Sequence, residues 1–255
     1  MVIPVHDVNP VRRTPVVTYL LIALNVLVFV IGPVAAAPLL GEPSQQQVCA
    51  QLDYFDRYAA EPDELLSGRT DRDLPAECED DSPFRKVAFL SVLTAMFLHG
   101  GWAHLLGNML YLLIFGNNVE DRLGRLKFLG FYLLCGYVAT YGFASVFADS
   151  STPLVGASGA IAGVLGAYLV MYPRARVWSL LTFFFFLPVR LPAWLVLGLW
   201  FVLQYLYTEG AGVSDQAGVA YLAHVLGFVA GALLVLRYRD GGVREGRPPP
   251  VGRAR

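Results

Sequence analysis

Residues 154–172 read LVGASGAIAGVLGAYLVMY, an uncharged run long enough to cross a bilayer, with Ser158 near its start. A second uncharged run, residues 217–236, reads AGVAYLAHVLGFVAGALLVL and carries a single histidine, His224, followed by Gly227 and Gly231. Polar groups inside apolar helices are costly and mark function. A serine hydroxyl is a weak nucleophile until a base takes its proton, and His224 is the histidine placed to do so. Together the two runs predict an all-α polytopic membrane protein with a buried serine–histidine pair.

Composition points the same way. Of the 255 residues, 56% are hydrophobic and 15% charged, against roughly 25% charged in a soluble domain. The apolar residues group into six expected spans at 14–39, 102–118, 128–148, 154–172, 192–207 and 217–236. The apolar piece at 178–187 is too short to span and predicts an interfacial or re-entrant segment. Residues 87–97 predict a second interfacial piece, lying before span two.

Arginine and lysine set the expected orientation. Arg12 and Arg13, the group Arg122, Arg125 and Lys127, the pair Arg174 and Arg176, and the arginines from Arg237 onward all fall on one side of the spans. That side is expected to be cytoplasmic, with both termini there. Residues 1–13 are then a cytoplasmic leader, 14–239 the membrane domain, and 240–255 a basic disordered tail facing lipid. The run at 14–39 is long for a cleaved signal peptide, and its loss would unbalance the topology.

Residues 40–85 form an acidic loop on the opposite side, with 12 of the chain's 20 acidic residues. It holds Cys49 and Cys78, two of only three cysteines, which predicts a disulfide in an oxidising compartment. Cys135, inside span three, is expected only to pack.

Glycine spacing explains how helices reach one another. Gly159 and Gly163 lie four apart in span four, as do Gly227 and Gly231 in span six, and such faces allow close contact in membranes. His224 shares the face of Gly227 and Gly231. It lies about eight residues into its span, so it can meet Ser158 at similar depth. His104 and Asn108, four apart near the outer end of span two, could donate to an oxyanion beside the Ser158 amide. Asp149 and Asp215 lie in outside loops without a route to His224. A dyad is therefore the assignment, with the imidazole oriented by packing rather than by a carboxylate. No metal or cofactor is expected, because His99 and His104 have no third partner.

These residues resemble the rhomboid intramembrane serine proteases: Gly156-Ala157-Ser158-Gly159-Ala160, His224 followed by Gly227, and His104-x-x-x-Asn108, in that order. The resemblance implies a six-span rhomboid-like bundle with an interfacial hairpin at about 87–101 before span two. It also implies Ser158 as nucleophile, His224 as base and then acid, His104 and Asn108 at the oxyanion, and span five as a gate. The implied partners are transmembrane protein substrates and membrane lipids, not nucleic acid. An inactive rhomboid-like binder of transmembrane helices is the alternative. Three features depart from the family. Leu90-Ser91 stands where many members have Trp-Arg, and Ala162 where some have an aromatic under the histidine, leaving Tyr221 or Phe228 as braces. The acidic loop has no counterpart with a known role.

Overall fold

The computed structural model describes residues 2–37, 42–70, 74–78, 84–181, 187–210 and 220–238. The expected basic tail, Asp215 and parts of the acidic loop lie outside them.

The bundle is built around α8 (Ser158–Met171), whose residues from Ala160 to Tyr168 are all buried. A helix that is apolar on every side is stable only when covered on every side. The covering elements are α5 (Trp102–Tyr111), α6 (Asn117–Leu123), α7 (Arg125–Val146), α9 (Ala193–Gly210) and α10 (Tyr221–Leu234). A π-helical turn, Leu112–Gly116, joins α5 to α6, so 102–123 runs as one continuous helical rod. Gly124, at φ 81°, breaks that rod from α7 in a backbone region that disfavours side chains.

At the edge lies α1 (Val16–Ile31). Its opening N–H groups have no intrahelical partners, and the buried Glu120 of α6 supplies them. The carboxylate accepts from Val17 N at 3.0 Å, Thr18 N at 2.7 Å and Thr18 Oγ1 at 2.8 Å. A carboxylate there also complements the positive end of the helix dipole. Outward-facing apolar side chains such as Leu20, Leu27, Ile31, Leu106 and Leu233 stay exposed, as they do where the solvent is lipid.

Among the described residues one helix, α7, is both long and apolar enough to cross a membrane. Four others are apolar but shorter. At 1.5 Å per residue the 14-residue α8 and α10 reach about 21 Å, short of a hydrocarbon core of about 30 Å.

One expectation needs correction. The fold is not purely α: β1 (Val2–Asp7), β2 (Arg176–Leu181) and β3 (Leu187–Pro192) form an antiparallel sheet in the order β1-β2-β3. Of the segment 178–187, the described residues 178–181 and 187 are strand, and residues 2–7 of the leader form the sheet's first strand. Asp7 fastens that strand to the bundle, accepting from Tyr168 Oη at 2.8 Å and Asn118 Nδ2 at 2.7 Å. Tyr168 is ten residues beyond Ser158, so the sheet sits at the end of α8 away from the serine.

The acidic loop is also structured. α2 (Gln45–Tyr58) starts on a capping box of Ser44 and Gln47, and α3 (Pro62–Ser67) ends at Gly68, φ 70°. Cys49 and Cys78 are joined by a disulfide, Cα–Cα 4.9 Å. Next comes α4 (Ala88–Ala95), which exposes Phe89 and Leu90 and buries Ser91 with its hydroxyl on the Ala88 carbonyl.

Candidate active site

Residues 151–157 approach the bundle without regular structure and turn at Gly156, φ 117°, into the first residue of α8. The Gly156 amide donates to the Ala95 carbonyl at 2.9 Å, tying the turn to α4. Ser158 therefore stands at a helix N-terminus, where its own N–H is among the donors without an internal partner.

α10 brings the histidine to it. A Cβ on Gly227 would strike the Gly159 carbonyl, and one on Gly231 the Gly163 backbone, so the two helices touch main chain to main chain. α7 closes the other side, with Ala139 against Gly159 and Cys135 against Gly163. Because α10 begins at Tyr221, His224 lies in its first turn, shallower in the helix than the sequence alone implied. This seats His224 Nε2 2.7 Å from Ser158 Oγ. A hydroxyl at that distance from an imidazole nitrogen can pass its proton along an existing hydrogen bond.

The other nitrogen of His224 has a partner that the sequence reading missed. Nδ1 lies 2.8 Å from Oε1 of Gln204 on α9, so packing alone does not orient the ring. Trp200, one turn earlier on α9, lies beside the imidazole at 6.1 Å between centroids, and Tyr221 meets it edge-on at 6.4 Å. Phe228 stacks on Trp200 rather than on the histidine. A partial signal was present: Gln204 is the only amide in α9 and the one polar residue in its apolar and aromatic stretch from Trp194 to Leu206.

Ser158, His224, Gln204 and Trp200 line a cavity of about 620 Å³ that also takes in His104, Asn108 and Val155. His104 and Asn108 converge on the Gly156 turn, since a Cβ there would lie 2.7 Å from His104 Nε2 and 3.6 Å from Asn108 Nδ2. Asn108 is 8% exposed, and its Nδ2 has no hydrogen-bond partner among the described residues. A buried donor left unpaired is expensive, and such donors need an explanation at the site they face. His99, also buried, packs edge-on against His104 at 5.0 Å. Among the described residues no group of three side chains could hold a metal ion.

The Rhomboid domain family matches residues 87–240, more than half of the chain. The chain belongs to the rhomboid family. Rhomboid membership makes it a helical, polytopic membrane protein. Its relatives include RHOMBOID-like protein 6, mitochondrial, of Arabidopsis thaliana, 34% identical over 107 residues, which are 39% of this chain and 34% of that protein. Two come from Bacillus subtilis. The putative rhomboid protease YdcA is 38% identical over 80 residues, 31% of this chain and 40% of its own. The rhomboid protease GluP is 45% identical over 78 residues, 31% of this chain and 15% of its own. The chain thus spans well under half the length of these rhomboids.

Proposed function

We propose that this rhomboid is an intramembrane serine endopeptidase that cleaves transmembrane segments of other membrane proteins near the outer face. The observation that carries the reading is the 2.7 Å contact between Ser158 Oγ and His224 Nε2. His224 takes the Ser158 proton as Oγ attacks the peptide carbonyl. The resulting oxyanion is met by the Ser158 N–H, Asn108 Nδ2 and His104. His224 then gives its proton to the departing amine, and water, activated by the same imidazole, releases the acyl group. Donors aimed at the developing charge in a low-dielectric site supply a large share of such catalysis.

The reading includes six crossings, with 102–123 as span two and both termini in the cytoplasm of a bacterial cell. Supporting it is the basic character of the connections on one side and the acidic character of the disulfide-bearing loop on the other. Short α8 and α10 fit this arrangement because the outer chain descends to Ser158 as a turn, opening a wet cavity below the outer face. A helical peptide bond is shielded by its own hydrogen bonds, so preferred substrates unwind easily near the cut, with glycine, proline or polar residues there.

The test is cleavage of a transmembrane substrate by purified protein beside Ser158→Ala and His224→Ala, with fluorophosphonate labelling in parallel. Loss of cleavage in both variants and of labelling in Ser158→Ala is expected. Wild-type protein that neither cleaves nor labels would instead make the chain a rhomboid-like binder of transmembrane helices.

A further inference from the structure

For His224 to accept a proton from Ser158, Nε2 must carry its lone pair and Nδ1 must carry the hydrogen. The ring itself does not favour this tautomer strongly, so a partner at Nδ1 has to select it. The partner is Gln204 Oε1, at 2.8 Å. An amide oxygen can only accept, which requires Nδ1–H and leaves Nε2 free to face Ser158 Oγ. Trp200 lies four residues earlier on the same face of α9 and covers the ring beside this bond. One helix thus supplies both a hydrogen bond and a wall for the imidazole.

The geometry points to Gln204 as the positioning residue of the site, holding His224 in its proton-accepting tautomer and plane through Nδ1. It acts where a carboxylate would otherwise serve, and it makes α9 part of the catalytic arrangement rather than only a wall of the cavity. This inference rests on the protease reading above.

A neutral acceptor and a carboxylate differ in what they do to the protonated ring. Among the described residues, the titratable groups that share the cavity with His224 or meet its ring are His104 and Tyr111 from α5 and Tyr221 on its own helix. α8 presents the Ser158 hydroxyl, α9 presents Trp200 and Gln204, and α7 packs on α10 through Ala139 and Gly142, none of them charged. Replacing the amide by a carboxylate therefore changes the electrostatics at Nδ1 in a cavity with no Asp, Glu, Lys or Arg among its described lining residues.

The experiment compares full-length wild type, Gln204→Leu and Gln204→Glu, with Ser158→Ala as the zero. Gln204→Leu should lose about 10- to 100-fold in kcat while KM stays near the wild-type value. Gln204→Glu should retain the acceptor and much of the rate. It should also move the acidic limb of the kcat–pH profile upward by about one unit or more, because the carboxylate favours the imidazolium. A wild-type kcat and pH profile in Gln204→Leu would overturn the inference, as would an unmoved limb in Gln204→Glu. Nitrogen-15 spectra of the histidines read the tautomer without any turnover. An Nδ1–H tautomer at His224 that is lost in Gln204→Leu supports the assignment, and an Nε2–H tautomer in wild type overturns it. If wild type neither cleaves nor labels, the protease reading fails, and the spectra still decide the role of Gln204.

Discussion

Ala60, in the acidic loop, pairs main chain to main chain with Leu154, four residues before Ser158. The Leu154 N–H donates to the Ala60 carbonyl at 2.7 Å, and the Ala60 N–H donates to the Leu154 carbonyl at 3.2 Å. The loop is fixed on both sides of this bridge. Asp63 N donates to the Ser150 carbonyl at 3.1 Å, and Thr94 Oγ1 donates to the Tyr58 carbonyl at 2.6 Å. The acidic segment therefore buttresses the chain that enters the Gly156 turn and sets the position of the serine.

Ala60→Pro removes one of the two bridge bonds, because proline has no N–H. A lost hydrogen bond in a buried setting costs about 1 kcal/mol, more where a partner is left unsatisfied. Ala60→Gly keeps both bonds and serves as the control. Slower fluorophosphonate labelling of Ser158 is expected in the proline variant alone, with the global melting temperature little changed. Wild-type labelling in Ala60→Pro would mean that the bridge does not position the turn.

One lysine faces a buried and a partly buried carboxylate of the same loop. Lys86 pairs with Glu64 and lies 3.3 Å from Glu61. Burial, with Glu64 and Asp63 nearby, pushes Glu61 from 4.5 up to about 7 despite the pull of Lys86, and burial likewise raises Glu64. The folded loop then holds a proton that the unfolded chain releases near 4.5. Its stability from this group is full below 4.5 and is lost as pH rises towards 7. Hydrogen exchange in α3 should accordingly be slower at pH 5 than at pH 8, after correction for the intrinsic rate. Glu61→Gln should flatten that difference, and an unchanged difference would assign it to another group.

Much of the site could be read from particular residues. Ser158 and His224 were legible because a hydroxyl and an imidazole in apolar runs stand out against the cost of burying them. The glycine faces were legible because their four-residue spacing is local. Gln204 was not assigned: its amide stands out in an apolar run, but the sequence does not say that this side of α9 will face α10. The sheet was missed for a related reason. Its outer strand pairs residues as far apart as Val2 and Leu181, and no local periodicity reports a partner so distant. The continuous rod at 102–123 was expected only to 118, near the end of the uncharged run that precedes the basic connection at Arg122, Arg125 and Lys127. In the fold its acidic residues are turned to use: Asp121 accepts from the amides of Arg12 and Arg13, as Glu120 does from α1.

The closeness of α8 and α10 makes Gly231 a sensitive position. A Cβ there meets the carbonyl, carbon and Cα of Gly163, which is backbone and cannot rotate away. Gly231→Ala must push the helices apart, at about 1–3 kcal/mol for overpacking, and lengthen the contact of His224 with Ser158. Gly198→Ala on α9, where an added Cβ meets nothing within 4 Å, should be silent. Melting in detergent together with cleavage rates separates the two. Equal behaviour of the pair would mean that the α8–α10 contact has slack to absorb a methyl group.

Asn108 offers a test of how charge is handled during the reaction. Its Nδ2 is buried without a partner among the described residues, close to the turn where an oxyanion would form. A donor held in reserve in this way is spent only when the negative charge appears, so its loss should fall on kcat rather than on substrate affinity. Asn108→Ala should lower kcat about 10²- to 10³-fold, the range for removing one oxyanion donor, with KM nearly unchanged. Gly156→Ala should lower activity as well by a different route. Its Cβ would lie 2.7 Å from His104 Nε2 and its backbone would be strained at φ 117°, so its melting temperature should fall too. A rise in KM without loss of kcat in Asn108→Ala would place the side chain in substrate binding and leave the oxyanion to His104 and the Ser158 amide.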